Sequence, residues 1–257
     1  MKHKKARKKA RKNASSDLQL VATPYAFDAP FWYFKSAEEF DKQYKAHLPV
    51  EEYEIDLNDG DDLEVALFKA MKPGQGNVHE YFEKLDEIGG MQEDELAAFH
   101  YATDDLGISD IDDAIALAQD DIRVTEGTAR DYVYNLIEEI GGVEALGEDK
   151  LEMYFDYEMF GRDIRSDIVD SRITDARNEA AQNDEDEDAA QEAVEEEYDA
   201  ISDEDIALDH VDTFGFFGPL MSPGLYFDYE SYTRDMKLGG DVTEFTFAGK
   251  TWTTDYR

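Results

Sequence analysis

Apolar and polar residues alternate near the start of the chain, which is typical of half-buried β-strands. Segment 18–34 is rich in β-branched and aromatic residues and contains two prolines, so it predicts two strands around a loop. Ser36-Ala-Glu-Glu39 fits a capping box and predicts a short helix that ends before Pro49. Apolar residues alternate with acids over 53–57, which predicts a third strand.

Helical periodicity follows. Apolar residues recur at three- and four-residue spacing in four segments, 63–71, 78–88, 96–106 and 111–118. A fifth helix is predicted over 128–140, where Gly141-Gly142 ends it. Its inward-facing residues are predicted to be Tyr132, Val133, Leu136, Ile137 and Ile140.

Near the end of the chain, residues 242–254 alternate as two strands around Ala248-Gly249, which predicts a β-hairpin. The patterns together predict an α+β fold, an elongated series of three small domains. We expect a flexible basic arm at 1–16, a β-rich α+β domain at 17–60, a helical domain at 61–118, and an α+β domain at 119–257 that ends in the hairpin.

The last domain contains an internal repeat. Tyr154 begins the block YFDYEMFGRDIR, and Tyr226, 72 residues later, begins YFDYESYTRDMK, with seven of twelve positions identical. One repeat pair indicates a duplication or insertion within a domain and not a solenoid. One interpretation is that each block starts a helix whose rings pack in the core, while Arg162 or Arg234 pairs with a nearby acid.

An acidic insertion lies at about 166–225, between the copies. Residues 178–233 contain no Lys or Arg, and 184–205 alone hold 13 acids. Like charges four residues apart oppose helix formation. The stretch 178–233 is rich enough in Ala and Glu to be helical in part, but because of this repulsion we expect it to be partly ordered at best.

The net charge limits the classes of function that the chain can have. The 63 acids face 25 basic residues, of which eight lie in the first twelve positions, so residues 13–257 have a formal charge of 17 − 63 = −46. Duplex DNA has one charge per roughly 1.7 Å, so this charge matches about 78 Å of duplex, or roughly 23 base pairs. Halophilic adaptation is an alternative reason for such acidity. A wholly disordered acidic chain is excluded by the 42% hydrophobic content.

Familiar catalytic and metal motifs are absent from the sequence. The chain has no cysteine and no HExxH pattern among its five histidines. The segment 56–62 fails as a calcium loop, because Ile55 and Ala66 would occupy the first and last ligand positions. We expect no catalytic site, cofactor or metal. Without a long apolar run or signal-peptide core, we also expect a cytoplasmic protein that does not contact a membrane.

Several blocks together resemble the ArdA family of antirestriction proteins. They are Phe34–Phe40, Glu51–Ile55, Asn58–Asp62, Asp104–Asp113, and Tyr226–Asp241 followed by the strand pair. The resemblance covers about 18–165 and 226–257. The basic arm, the duplicated block and the acidic insertion depart from the family's pattern.

The resemblance implies a non-catalytic DNA mimic. The family is known from phages and mobile elements, for three small domains and for dimers that imitate bent B-form DNA. Its targets are type I restriction-modification enzymes, bound at the specificity and methyltransferase subunits. This implies a homodimer in the host bacterial cytoplasm whose acidic body does not bind nucleic acid. We expect the mimic surface to include Asp59, Asp61, Asp62, Asp104, Asp105, Asp110, Asp112, Asp113, Asp156, Glu158, Asp163, Asp228, Glu230 and Asp235.

Two other classes of function stay open from the residues alone. An acidic chaperone or sequestering factor would bind histone-like or other basic proteins through the same charge. A carboxylate hydrolase would instead need a deep pocket in which a few acids converge.

Overall fold

The fold is α+β, as the sequence predicts. The computed structural model describes residues 18–26, 28–47, 52–216, 218 and 222–257. The basic arm predicted at 1–16 lies outside these residues. The described residues form two compact units: the first runs up to Ala129 and resumes over Gly240–Arg257, and the second is Arg130–Gly239. The division into three domains stays a prediction.

The first unit begins with a three-stranded antiparallel sheet of order β2-β1-β3. Its strands are β1 (Gln19–Pro24), β2 (Trp32–Phe34) and β3 (Tyr53–Asp59). Leu20 of the central strand lies opposite Phe34 and Leu57. Because side chains alternate between the two faces of a strand, Leu20 and Phe34 are buried while Tyr33 is exposed. All three predicted strands are confirmed.

Five α-helices complete the first part of this unit. They are α1 (Ala37–Ala46), α2 (Asp62–Met71), α3 (Val78–Ile88), α4 (Glu93–His100) and α5 (Ile111–Asp120). A π-helical turn, Tyr101–Asp105, continues α4. The four predicted helical segments are confirmed, and their fully buried Leu67, Tyr81 and Phe99 share one core with Leu20 of the sheet.

The start of α1 differs slightly from the predicted capping box. Ser36 caps the helix by accepting a 3.2 Å hydrogen bond from the backbone N–H of Glu39, as expected. The Glu39 carboxylate, however, accepts from the backbone N–H of Lys35 at 2.8 Å. The reciprocal hydrogen bond of Glu39 therefore reaches the residue before the N-cap, whereas in the standard motif it reaches the N-cap residue itself.

A second three-stranded sheet uses the last residues of the chain. Its strands are β4 (Val124–Glu126), β5 (Thr243–Phe247) and β6 (Lys250–Thr254), in the order β4-β6-β5. Ala248 and Gly249 adopt φ of 52° and 71°, the conformation of a two-residue type I′ hairpin turn. The predicted hairpin is confirmed. Phe245 lies opposite Trp252, and both enter the core of the first unit.

The second unit is helical. A 3₁₀ turn, Val143–Leu146, lies between its first two helices. The α-helices are α6 (Ala129–Ile140), α7 (Glu148–Tyr154), α8 (Tyr157–Gln182), α9 (Glu187–Asp199), α10 (Asp203–Phe214), α11 (Pro223–Tyr226) and α12 (Tyr229–Gly239). Within the part of the chain that the structure describes, none of the helices is both long and apolar enough to cross a membrane.

The predicted orientation of α6 is correct except at its end. Val133 and Ile137 are buried, as predicted. Ile140 was expected to face inward, but 45% of it is exposed. The cause is its place in the last turn, because the chain reverses at once through Gly141 and Gly142, both at φ of 103°. The inward stripe of the helix therefore ends one turn before the helix does.

The expectation that the acidic insertion is partly ordered at best is wrong for its described residues. They form α9, α10 and the second half of α8, and both shorter helices pack against α8. On α9, Ala190, Val194 and Tyr198 are half-buried and recur at four-residue spacing. In the sequence, the acidic residues that flank these three positions make the narrow apolar stripe difficult to recognise.

Arginines of α8 offset part of the acidic repulsion. The guanidinium of Arg165 donates to the Asp203 carboxylate at 2.6 Å and to the carbonyl oxygens of Tyr198 and Ile201 at 2.7 Å each. Arg177 donates to Gln191 at 2.9 Å on α9. A planar guanidinium can bind several acceptors at once, so one arginine joins α8 to the end of α9 and the start of α10.

Candidate acidic surface and the paired repeats

The eight candidate acids of the first unit are all exposed, and several also stabilise helix starts. Asp61 caps α2 in a reciprocal capping box with Glu64. Asp110 caps α5 by accepting from the N–H groups of Asp112 and Asp113 at 3.0 and 3.2 Å. The exposed positions are Asp59, Asp61, Asp62, Asp104, Asp105, Asp110, Asp112 and Asp113.

Two of these acids have distinct electrostatic surroundings. Asp112 pairs with Lys84, which also bonds Glu87 at 3.0 Å, and these two hydrogen bonds raise the pKa of the Lys84 ammonium. The pKa of the Asp105 carboxyl is raised, and the main cause is its partial burial. Part of the charge of Asp112 is therefore compensated within the first unit.

The repeated blocks place their acids in matching structural positions. Asp156 caps α8 by accepting from the N–H of Met159 at 2.8 Å, and Asp228 caps α12 by accepting from Ser231 at 2.9 Å. Hydrogen bonds from the side chain and backbone of Ser231 lower the pKa of Asp228. The exposed acids of the two blocks are Asp156, Glu158, Asp163, Asp228, Glu230 and Asp235.

The aromatic residues of the two blocks pack in the core of the second unit, as the structural interpretation predicts. Tyr154, Phe155, Tyr226 and Phe227 are all buried. Phe155 and Phe227 form an isolated antiparallel bridge, so the two copies contact one another directly. Sequence spacing predicted the helix starts but not this pairing, since 72 residues separate the partners.

The prediction that an arginine of the blocks pairs with a nearby acid is confirmed in the second block. Arg234 lies 3.5 Å from the carboxylate of Asp235. This pair is exposed, so we expect it to add little to stability.

The structure presents a further acidic surface that was not predicted from the sequence. We call it the α9 face, and it consists of the acids Glu187, Asp188, Glu192, Glu195, Glu196, Glu197 and Asp199. Seven of the thirteen residues of α9 are acidic, none is basic, and none is buried. At 1.5 Å rise per residue the helix is about 20 Å long, so it has one carboxylate per about 2.8 Å. The signal in the sequence was Asp186, an N-cap residue whose side chain accepts from the N–H groups of Asp188 and Ala189.

Comparison with family models matches residues 26–175 to the model of the antirestriction protein ArdA. This is more than half of the 257-residue chain. The chain belongs to the ArdA family of antirestriction proteins. Searches of curated proteins and of solved structures gave no match.

The ArdA match contains the first repeated block and ends within α8. It therefore includes the eight candidate acids of the first unit, together with Asp156, Glu158 and Asp163. The α9 face, the second block and the final hairpin lie beyond the matched residues.

A cavity of about 210 Å³ lies beside the paired blocks. Its lining includes Asp156, Asp228 and Glu230, together with Arg130 and Tyr134. The first two carboxylates already bind helix N-termini, as described for α8 and α12. Among the described residues, no group of three or more acids or histidines is arranged to hold a metal ion.

Proposed function

We propose that this ArdA-family protein inhibits type I restriction-modification enzymes by occupying their DNA-binding surface. The surface is formed by the specificity and methyltransferase subunits, and carboxylates of the inhibitor take the place of DNA phosphates. The protein acts without catalysis or a cofactor, in the host bacterial cytoplasm. Its acidic body does not bind nucleic acid, because both carry the same charge.

The observation that carries the proposal is the family match combined with exposed carboxylates on ordered helices. The α9 face has one carboxylate per about 2.8 Å, against one phosphate per about 3.4 Å along one DNA strand. Because these acids lie on a regular helix, the backbone presents their side chains at a regular spacing, as the DNA backbone does with phosphates. A disordered tail of the same composition would lose conformational entropy on binding.

Electrostatic complementarity supports competition with DNA. Enzymes that bind DNA place Lys and Arg against its phosphates and gain affinity by releasing counterions. The same side chains can pair with carboxylates. We therefore expect the inhibitor and DNA to exclude one another, with binding that weakens as salt increases.

The positions of the cavity acids support a non-enzymatic role. A general acid or base must direct its oxygens toward a substrate. Asp156 and Asp228 instead accept hydrogen bonds from backbone N–H groups at the starts of two helices. One oxygen of each carboxylate is thus engaged in stabilising the fold.

The direct test is displacement of DNA. A labelled duplex bound to a type I enzyme is titrated with the full-length protein at low salt, and fluorescence anisotropy should fall as DNA is released. The titration is repeated with a histone-like protein in place of the enzyme. Displacement from the enzyme alone supports the proposal, while displacement from the basic protein alone would favour the sequestering function. A duplex that stays bound to the enzyme at stoichiometric excess contradicts inhibition by competition.

Homodimerisation is an expectation from the resemblance alone. Because the two repeated blocks already contact one another within this chain, we propose that it acts as a monomer. Competition as proposed requires only that one chain places its carboxylates on the enzyme.

A further inference from the structure

The two copies of the repeated block contact one another with two-fold reciprocity. Each residue of the first copy corresponds to the residue 72 positions later in the second. The backbone N–H of Asp156 donates to the carbonyl oxygen of Tyr226 at 2.7 Å, and the N–H of Asp228 donates to the carbonyl oxygen of Tyr154, also at 2.7 Å. Exchanging the copies reproduces the same pair of bonds.

Side chains obey the same relation. The Tyr154 hydroxyl donates to Asp235 at 3.0 Å, and the Tyr226 hydroxyl donates to Asp163 at 3.2 Å. Asp235 occupies in the second copy the position that Asp163 occupies in the first. Each tyrosine therefore binds the acid of the opposite copy.

Ring contacts across the pair are also reciprocal. The ring centroids of Tyr154 and Phe227 lie 5.9 Å apart at 58°, and those of Phe155 and Tyr226 lie 5.7 Å apart at 57°. The centroids of Tyr154 and Tyr232 are 5.0 Å apart, matched by Tyr226 and Phe160 at 5.0 Å. The backbone hydrogen bonds, the tyrosine hydroxyl hydrogen bonds and the ring contacts are therefore all related by the same two-fold exchange of the copies.

Such reciprocity is the defining property of an isologous interface, in which one surface binds an identical surface. One copy of the block is therefore self-complementary. We propose that the duplication has placed both halves of a two-fold protein interface in one chain. In this protein the two halves of the interface belong to the same chain and bind one another. A chain with only one copy would pair with a second identical chain.

The two copies differ on the side away from their shared contact. Gly161 of the first copy lies against the backbone of Asp203 in α10, and the corresponding residue of the second copy is Thr233. The helices of the insertion thus pack on the first copy through a residue that the second copy lacks. A single-copy variant should therefore retain the second copy, which can do without those helices.

The main experiment compares the full-length chain with a variant that lacks residues 154–225. This 72-residue deletion joins Met153 to Tyr226 and keeps one block. Sedimentation velocity over about a hundredfold range of concentration should give a monomer for the full chain and a dimer for the variant. The matched control adds Phe227→Asp to the deletion and should be monomeric, because a charge replaces a ring at the centre of the interface. Circular dichroism checks that both variants are folded.

A folded deletion variant that stays monomeric overturns the proposal, as does a full-length chain that dimerises. Where the deletion variant does not fold, the full chain decides the question. Its thermal midpoint should be independent of concentration, because the pairing is intramolecular. Tyr154→Phe and Tyr226→Phe should lower that midpoint by similar amounts, since each removes one of two equivalent bonds. A concentration-dependent midpoint, or an effect of only one substitution, contradicts pairing within the chain. These measurements need no restriction enzyme, so they are independent of the proposed inhibition.

Discussion

The carbonyl oxygen of Asp203 lies over Gly161, 1.8 Å from the point that a Cβ atom of residue 161 would occupy. No side chain fits there without moving the backbone of α10. Gly161 is therefore the residue that lets α8 and α10 approach so closely. Ile206 and Ala207, one turn further along α10, are buried in the core of the second unit.

Gly161→Ala should destabilise the protein by about 1–3 kcal/mol, because an added methyl group forces the packed backbone apart. Gly224→Ala in α11 is the matched control. Its added Cβ would have its nearest neighbour, Val143 Cγ2, at 3.9 Å, an ordinary contact. The control should be neutral or slightly more stable. Urea unfolding measures both free energies, and equal values for the two variants would show that α8 and α10 are not in close contact.

Arg165→Lys should loosen the start of α10. An ammonium group cannot reproduce the three hydrogen bonds of the guanidinium to Asp203, Tyr198 and Ile201. We expect a loss of about 1–2 kcal/mol and faster proteolysis between α9 and α10. Arg162→Lys, at an exposed position on the same helix, is the control and should leave the cleavage rate unchanged. Identical digestion patterns would rule out this role for Arg165.

Stability should fall at alkaline pH. Burial, together with the hydrogen bonds to Asp235 and Asp163, raises the pKa of Tyr154 and Tyr226 above the usual 10.0. The folded state therefore retains these protons more strongly than the unfolded chain. The contribution of these two hydroxyls to the stability of the folded state is fully present below about pH 10. It is lost as the pH rises through their folded-state pKa.

The double variant Tyr154→Phe, Tyr226→Phe should lose less stability between neutral and strongly alkaline pH than the natural protein. Tyr25→Phe, on a side chain that is 66% exposed, is the control and should keep the original slope. Urea midpoints measured across a pH series test both. An unchanged slope in the double variant would mean that these two hydroxyls do not contribute to the alkaline loss.

Charge on the proposed mimic surface should act collectively. Exposed ion pairs contribute about 0–1 kcal/mol each, so a single change such as Glu158→Gln should alter inhibition little. Replacing Glu192, Glu195, Glu196 and Glu197 of the α9 face together with Gln should weaken displacement of DNA clearly more. Glu→Asp at the same four positions keeps the charge and serves as the control. If the two quadruple variants inhibit equally, the α9 face does not contact the enzyme.

Four neutralisations in the first unit test the part of the chain that matches the family. Asp62, Asp104, Asp105 and Asp113 are exposed and do not cap helices in the structure. Inhibition should decrease progressively when one, then two and then all four of these residues are changed to Asn. A single substitution that abolishes inhibition while the fold is intact would instead indicate catalysis or a metal site.

Local patterns were sufficient to predict most elements of the fold. Alternation at 53–57 and the turn at Ala248-Gly249 each depend on neighbours in sequence, and both predictions are confirmed. The insertion was misjudged because repulsion between adjacent acids is visible in sequence, whereas Arg165 and its acceptors are 33 to 38 residues apart. The pairing of the repeats is likewise a long-range contact, and only the duplication itself was visible.

The position of the second sheet also affects how the protein forms during synthesis. Strand β4 precedes the second unit, but its partner β6 follows that unit, so Val124 pairs with Thr254, which lies 130 positions later in the chain. The second unit is one uninterrupted segment and can fold as soon as it leaves the ribosome. The first unit must wait for β6 before its second sheet can form. In pulse-labelled nascent chains, protease resistance should therefore appear in the second unit before it appears around β4.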